Sequence, residues 1–286
     1  MAAVGIFLIV TSGLLHAVWN LFAKRSLDKT AFLWWMQVVA TLVYLPWAAP
    51  ALLHRAIPAD GWWLLVLAVL AHALYVTLLS RAYKAGDLSQ VYPVMRGISP
   101  LLVPVIGVTL LGERLSMPGW LGVACIVAGI WILGDWRAKR AEDGSRRSGR
   151  RAFRLSLAVG LSIACYTSLD KVALRYVPAI SLNDAGNLAN GLALSWAAVR
   201  SRAAVSEWRA NRGTILLGGV IAPGGYLLFL YALDRLSLAQ LAPMREIGIV
   251  FGTILGITVL KEGQSARRIA AAGIITAGVV LLGMFG

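Results

Sequence analysis

The chain has 286 residues, of which 59% are apolar and 14% are charged. A soluble domain would carry charges on about a quarter of its residues, so the composition excludes an ordinary soluble protein. Runs of about 20 apolar residues, long enough to cross about 30 Å of hydrocarbon, recur along the sequence. The fold class predicted is therefore an all-α polytopic membrane protein.

The formal net charge is +14. The positive residues stand in short loops between apolar runs, where membrane topology explains them better than nucleic-acid binding does. Both cysteines, Cys125 and Cys165, lie inside predicted spans, so we expect neither a disulfide nor a thiolate metal site. Enzymatic motifs are absent from the sequence, and no spacing favours a hydrolase built on His16, His72 and Asp170. We expect no enzymatic activity, no cofactor and no metal.

Apolar runs separated by turn residues predict ten transmembrane helices. A basic segment, residues 137–152, divides them into a first five-helix repeat at 1–136 and a second at 153–286. The expected helix ranges are 4–23, 31–49, 62–83, 89–111, 118–136, 153–172, 183–201, 213–233, 238–260 and 267–285.

The two halves are related in sequence. Around the fourth and ninth helices, a shift of 149 residues places Arg245, Glu262 and Gly278 on Arg96, Glu113 and Gly129. An odd number of helices in each half predicts that the two repeats are inverted relative to each other. Inverted repeats commonly hold a substrate site near the midplane of the membrane.

Lysine and arginine concentrate in alternate loops, above all in the basic linker. The positive-inside rule then places the linker in the cytoplasm and both termini outside. We expect a multi-pass protein of the inner membrane with this orientation.

Arg96 lies within the fourth predicted helix, which Pro93, Pro100 and Pro104 are expected to interrupt. An arginine at the centre of a transmembrane helix costs about 2.5–3.5 kcal/mol on insertion scales, so it needs a partner or a wet cavity. Tyr92 lies one turn earlier on the same helical face. Either Arg96 binds an anion in a cavity, or it caps the carbonyl groups that the prolines release.

Arg245 occupies the matching place in the second repeat, where Glu246 replaces Gly97 of the first. We expect Glu246 to pair with one arginine while the other remains available. Glu246 is also a candidate coupling residue, because burial disfavours the charged form of a carboxylate. A plain structural ion pair is the alternative.

Polar residues recur at helical spacing on three further helices. They are His16 and Asn20 on the first, Ser162, Tyr166 and Asp170 on the sixth, and Asn183, Asn187 and Asn190 on the seventh. Such residues line cavities or join helices by hydrogen bonds, and both interpretations stay open. Glu113 and Glu262 are expected to satisfy the amide ends of helices five and ten.

The segments HAVWNLFAKR, LGERLSMPGWLGVACIVAGIWIL and LKEGQSARRIAAAGIITAGVVLLG resemble EamA-type transporters of the drug/metabolite transporter superfamily. The block YPVMRGISP, together with HAVWN, is similar to a phosphonate-associated subgroup. Family members that carry phosphorylated sugars place basic residues in helices four and nine. The resemblance therefore implies that Arg96 and Arg245 bind an anion, while Glu246 departs from that pattern and favours a zwitterion.

The expected function is secondary transport of a small polar metabolite, anionic or zwitterionic, by alternating access. The expected substrate-binding residues are Arg96, Arg245, Tyr92, His16, Asn20, Tyr166 and Asn187, with Glu246 for coupling. The expected partners are the substrate, the lipid bilayer and a candidate coupling proton, in a monomer or homodimer that binds no nucleic acid. The alternatives are an exporter of drugs or hydrophobic cations that uses Glu246, and a membrane scaffold that transports nothing.

Overall fold

The computed structural model describes residues 2–85, 88–133, 145–259 and 266–286. The described chain is helical, and its elements follow the ten predicted spans, with the ninth span divided in two. The helices are α1 (Ala2–Arg25), α2 (Lys29–Leu53), α3 (Ala59–Ala85), α4 (Leu88–Leu110), α5 (Met117–Leu133), α6 (Ser145–Ala173), α7 (Ala179–Arg200), α8 (Ala204–Arg235), α9 (Leu238–Met244), α10 (Ile247–Thr258) and α11 (Ala266–Phe285).

Two helices begin much earlier than predicted. α6 begins at Ser145, so residues 145–152 of the predicted linker are helical. α8 begins at Ala204, with non-helical backbone angles at Asn211 (φ −124°, ψ 20°) just before the predicted start at residue 213. Apolar periodicity marks the part of a helix that lies in hydrocarbon, whereas polar residues with good helix propensity extend it beyond that part.

The expected break in the fourth helix is wrong. α4 runs without interruption from Leu88 to Leu110 and contains three prolines. A proline removes one backbone hydrogen bond and bends a helix, but the bonds on either side can hold the helix together. The second copy, in contrast, is broken, because α9 ends at Met244 and α10 begins at Ile247.

Six helical stretches in the described part of the chain are long and apolar enough to cross a membrane. They are Val4–Arg25, Lys29–Leu53, Ala59–Ala82, Arg150–Ala173, Ala204–Arg235 and Leu238–Thr258. The apolar helices Val94–Leu110, Met117–Leu133 and Ile269–Phe285 are shorter. α7 has the length of a span, but a buried carboxylate and three buried amides lower its hydropathy: Asp184, Asn183, Asn187 and Asn190.

The chain packs into two compact units that differ from the two sequence repeats. The first unit combines Met1–Thr77 with Leu169–Leu236. Within it α2 runs antiparallel to α7, because Ser181 Oγ donates to Ala48 O (2.7 Å) near one end. At the other end Trp34 Nε1 donates to Ser195 Oγ (3.0 Å).

The second unit combines Leu78–Ser168 with Ser237–Gly286, and within it α5 packs on α11. A Cβ atom added to Gly278 would lie 2.6 Å from Gly122 O, and one added to Gly129 would lie 2.9 Å from Ala271 O. Gly278 is the repeat mate of Gly129, and Ala271 is that of Gly122, so the repeat relates the two contacts. The equivalent helices therefore run antiparallel, as inverted repeats require.

Candidate functional site

The break between α9 and α10 places Arg245 and Glu246 together. Pro243 has no N–H group, so it cannot continue the helical hydrogen-bond ladder. The chain turns more tightly here, since Glu246 N donates to Pro243 O (3.0 Å) and Ile249 N donates to Glu246 O (2.8 Å). Both bonds span three residues, whereas an α-helical bond spans four.

Glu246 forms an ion pair with Arg96 of α4. The distance from Arg96 Nε to Glu246 Oε2 is 3.3 Å, and the side chains are 11% and 6% exposed. The Arg245 guanidinium also acts electrostatically on the Glu246 carboxylate. The structure therefore pairs Glu246 of the second repeat with Arg96 of the first.

Small residues let neighbouring helices approach α4 beside Arg96. A Cβ atom added to Gly97 would lie 3.2 Å from Trp131 Nε1 of α5. One added to Gly160 of α6 would lie 3.1 Å from Met95 O. On the face of α4 that carries Arg96, Ser99 and Val103 are both buried. The guanidinium thus projects from a tightly packed part of the second unit.

Glu113 caps a different helix from the one predicted. Its carboxylate accepts hydrogen bonds from Leu238 N (2.8 Å) and Ala239 N (2.7 Å), at the start of α9 rather than α5. The carboxylate satisfies two of the amide groups that a helix N-terminus leaves without a partner, and it suits the positive end of the helix dipole. This contact fixes α9, which leads into the break at Glu246. Glu262 lies outside the described residues.

The other predicted binding residues have mixed surroundings. Tyr166 is buried in the second unit, whereas His16 and Asn20 lie half-buried in the first. His16 Nδ1 accepts a hydrogen bond from Trp19 Nε1 (3.2 Å), and Asn20 Nδ2 donates to His16 O (2.7 Å). Tyr92 lies on α4, but its side chain is outside the described part of the structure.

Asn187 belongs to a row of buried polar side chains on α7. Asn183 Nδ2 donates to Pro223 O of α8 (3.2 Å). Asp184 Oδ1, Asn187 Nδ2 and Asn190 Oδ1 have no hydrogen-bond partner among the residues that the structure describes. Sequence reasoning missed Asp184, although a carboxylate beside a regular row of asparagines was a usable signal.

Comparison with known proteins accounts for the repeated architecture. The profile of the EamA-like transporter family matches residues 3–134 and again residues 151–284. A solved crystal structure aligns over 97% of this chain and 95% of its own, with a TM-score of 0.79 at 17% sequence identity. At that level of sequence identity, the similarity to the solved structure concerns the fold alone.

Three curated relatives have transport-related names. An Uncharacterized transporter in cobO 3'region of Sinorhizobium sp is 40% identical over 27% of this chain and 54% of its own length. The Putative sugar uptake protein lin0215 of Listeria innocua is 27% identical over 71% of this chain and 72% of its own. The Multidrug resistance protein EbrB of Bacillus subtilis is 36% identical over 23% and 56%.

The match to the first of these relatives spans about half of that protein's length. The family profile, in contrast, covers nearly all of this chain, once in each repeat. Two repeats, antiparallel equivalent helices and arginines at matching places agree with that coverage. The chain belongs to the EamA-like transporter family of the drug/metabolite transporter type.

Proposed function

We propose that the protein is a secondary transporter of a small metabolite with an acidic group, an anion or a zwitterion such as an amino acid or an organophosphonate. It acts in the inner membrane, with the basic linker in the cytoplasm and both termini outside. Transport proceeds by alternating access of the two repeats. The observation that carries the proposal is the group of charged residues formed by Arg96, Arg245 and Glu246.

The charges in this group favour an acidic ligand. Two guanidinium groups and one carboxylate carry a formal excess of positive charge in a part of the chain where charges are costly. An acidic group of a substrate would balance that excess. A guanidinium also binds a carboxylate or phosphonate through two parallel hydrogen bonds, which orients the ligand as well as attracting it.

Glu246 gives the group its asymmetry. It occupies the position where the first repeat has Gly97, so only one repeat supplies a negative charge. In the proposed mechanism Glu246 holds Arg96 in place and attracts the amino group of a zwitterion. The predicted coupling role of Glu246 and the binding roles of Tyr92, His16, Asn20, Tyr166 and Asn187 stay predictions.

Two other substrate classes follow from the names of relatives. A sugar uptake protein and a multidrug resistance protein are both among the proteins that this chain resembles. A neutral sugar has no charge for Arg96 and Arg245 to bind. A hydrophobic cation would instead use the Glu246 carboxylate, but it has no acidic group to balance the two neighbouring guanidinium groups, which repel it.

Counterflow into proteoliposomes that contain the purified protein separates these classes. The probes are methylphosphonate, 2-aminoethylphosphonate, alanine, glucose and ethidium. We expect uptake of at least one acidic probe. We expect no uptake of glucose or of ethidium. Arg96→Gln and Arg245→Gln should each lower that uptake about 30-fold or more, because a charge-assisted contact contributes about 2 kcal/mol.

Arg209→Gln is the matched control, because Arg209 is exposed near the start of α8. It should transport like the wild type. Uptake of glucose or ethidium that both arginine variants retain would overturn the proposal. Loss of ethidium transport in Glu246→Gln alone would establish the cation exporter.

A further inference from the structure

A second cluster of ionisable side chains lies in the first unit, where three helices meet. His72 of α3, Asp170 of α6 and Tyr226 of α8 form it. The distance from His72 Nε2 to Asp170 Oδ2 is 3.0 Å. The Tyr226 hydroxyl donates to the same Asp170 oxygen. The two rings are nearly perpendicular, with centroids 5.7 Å apart.

The cluster is buried. Asp170 has no exposed surface, and His72 is 7% exposed. Both hydrogen bonds reach Oδ2, while the other carboxylate oxygen, Oδ1, has no hydrogen-bond partner among the residues that the structure describes. A buried polar atom without a partner costs about 1–3 kcal/mol, and more when the group is charged. Binding of a proton would remove the charge that makes this arrangement expensive.

Other ionisable groups occur on the same helices. Lys171 follows Asp170 in α6, and its Nζ donates to Leu233 O and Leu236 O at the end of α8 (both 2.7 Å). α7 approaches through Gly186, where an added Cβ atom would lie 3.6 Å from the His72 ring. The acidic residue nearest to Gly186 on α7 is Asp184.

We propose that His72 and Asp170 form a proton-binding site. With imidazole neutral and Asp170 ionised, the pair carries one negative charge. Uptake of one proton from water makes the pair neutral overall, either as imidazolium with carboxylate or as imidazole with a carboxyl group. Release of the same proton to water restores the negative charge. Tyr226 holds Oδ2 in both states, so the proton exchanges at the imidazole or at Oδ1.

The use of this proton to drive transport rests on the proposed function, whereas proton binding itself does not. The cluster is separate from Glu246, whose carboxylate faces the Arg96 guanidinium. Histidine is the side chain type that commonly exchanges a proton near neutral pH, so Asp170 has a partner that a fixed cation cannot replace.

Infrared difference spectroscopy of the full-length protein in liposomes tests the site without a substrate. Spectra recorded between about pH 5 and pH 9 report the carbonyl stretch of buried protonated carboxyl groups and the ring modes of histidine. We expect a pH-dependent signal that Asp170→Asn removes. His72→Gln, which retains a hydrogen-bond donor but cannot titrate, should remove the histidine bands and alter the pH dependence of any carboxyl band.

Tyr226→Phe is a milder variant, which keeps the test usable if Asp170→Asn or His72→Gln fails to fold. It removes one hydroxyl group, so a larger share of the pair should carry the proton at a given pH. A purely structural cluster would leave the signal unchanged. Asp184→Asn and Glu246→Gln are the matched controls for the carboxyl band. A band lost in Glu246→Gln and retained in Asp170→Asn would overturn the proposal, as would a signal that Tyr226→Phe and His72→Gln both leave unaltered.

Discussion

Arg96 Nε lies 3.3 Å from Glu246 Oε2, although Arg96 belongs to the first repeat and Glu246 to the second. The sequence repeat aligns Arg245 with Arg96. Both repeats therefore supply an arginine, whereas only the second supplies a carboxylate at the next position. The two repeats therefore match at the arginine and differ at the residue that follows it. A ligand with an acidic group fits that imbalance.

The contact between Gly122 and Gly278 should determine the stability of the second unit. A Cβ atom at Gly278 would lie 2.6 Å from a backbone oxygen, so Gly278→Ala forces α5 and α11 apart. We expect a loss of about 1–3 kcal/mol, the usual cost of overpacking, seen as a lower melting temperature in detergent. Gly273→Ala is the control, because open space surrounds Gly273 on the same helix. Equal melting temperatures for the two variants would contradict the packing described above.

Glu113 should stabilise the start of α9. Glu113→Ala leaves Leu238 N and Ala239 N without their carboxylate acceptor, at a cost of about 1–2 kcal/mol, typical for the loss of a helix cap. Amide hydrogen exchange, followed by mass spectrometry, should show faster exchange in the first turn of α9. The exposed neighbour Arg114 supplies the control, and exchange in Arg114→Ala should match the wild type. Unchanged exchange in Glu113→Ala would show that the cap is dispensable.

Glu207 should stabilise the contact between α8 and the start of α2. It has no exposed surface, and its carboxylate accepts from Asp28 N (2.7 Å) and Asn211 Nδ2 (2.6 Å). Removal of a buried charged acceptor costs about 1.5–3 kcal/mol, so Glu207→Ala should melt well below the wild type. Arg209→Ala, two residues along and exposed, should not. A Glu207→Ala protein as stable as the wild type would exclude this role.

The orientation of the chain can be tested apart from transport. The positive-inside rule places the C-terminus outside the cytoplasm. Alkaline phosphatase fused after Gly286 should therefore be active, and a green fluorescent protein at the same position should be dark. The reverse pattern would invert the topology without affecting the helix assignment.

Hydrophobic periodicity and loop composition were sufficient to predict most of the fold. Each span must satisfy its backbone hydrogen bonds within a helix and expose apolar side chains to lipid, so it appears in the sequence as one apolar run. They missed the early starts of α6 and α8, because charged residues occur in the first turns of α6 and in the first three turns of α8. They also overstated the effect of the prolines in α4, since helix continuity depends on the remaining hydrogen bonds. The ninth helix was expected to run from 238 to 260, whereas the structure breaks it after Met244, one residue beyond Pro243.

Contacts between distant residues were less predictable. The pairing of Glu246 with one arginine followed from charge alone, but its choice of Arg96 depended on the helix break. His72 and Asp170 lie 98 residues apart in sequence, and no local spacing relates them. The helix that Glu113 caps was predicted wrongly. Its carboxylate lies at the start of α9 and not at the start of the next helix in the chain.

The most direct test of the proposed function is counterflow of 2-aminoethylphosphonate by the double variant Arg96→Gln, Glu246→Gln. The double variant removes both charges of the pair and so leaves neither member as an uncompensated buried charge; it should fold and melt close to the wild type. If Arg96 binds the acidic group of the substrate, uptake should stay about 30-fold or more below the wild type, like that of Arg96→Gln alone. Wild-type uptake by the double variant would show that Arg96 serves only to neutralise Glu246, and would contradict the proposal.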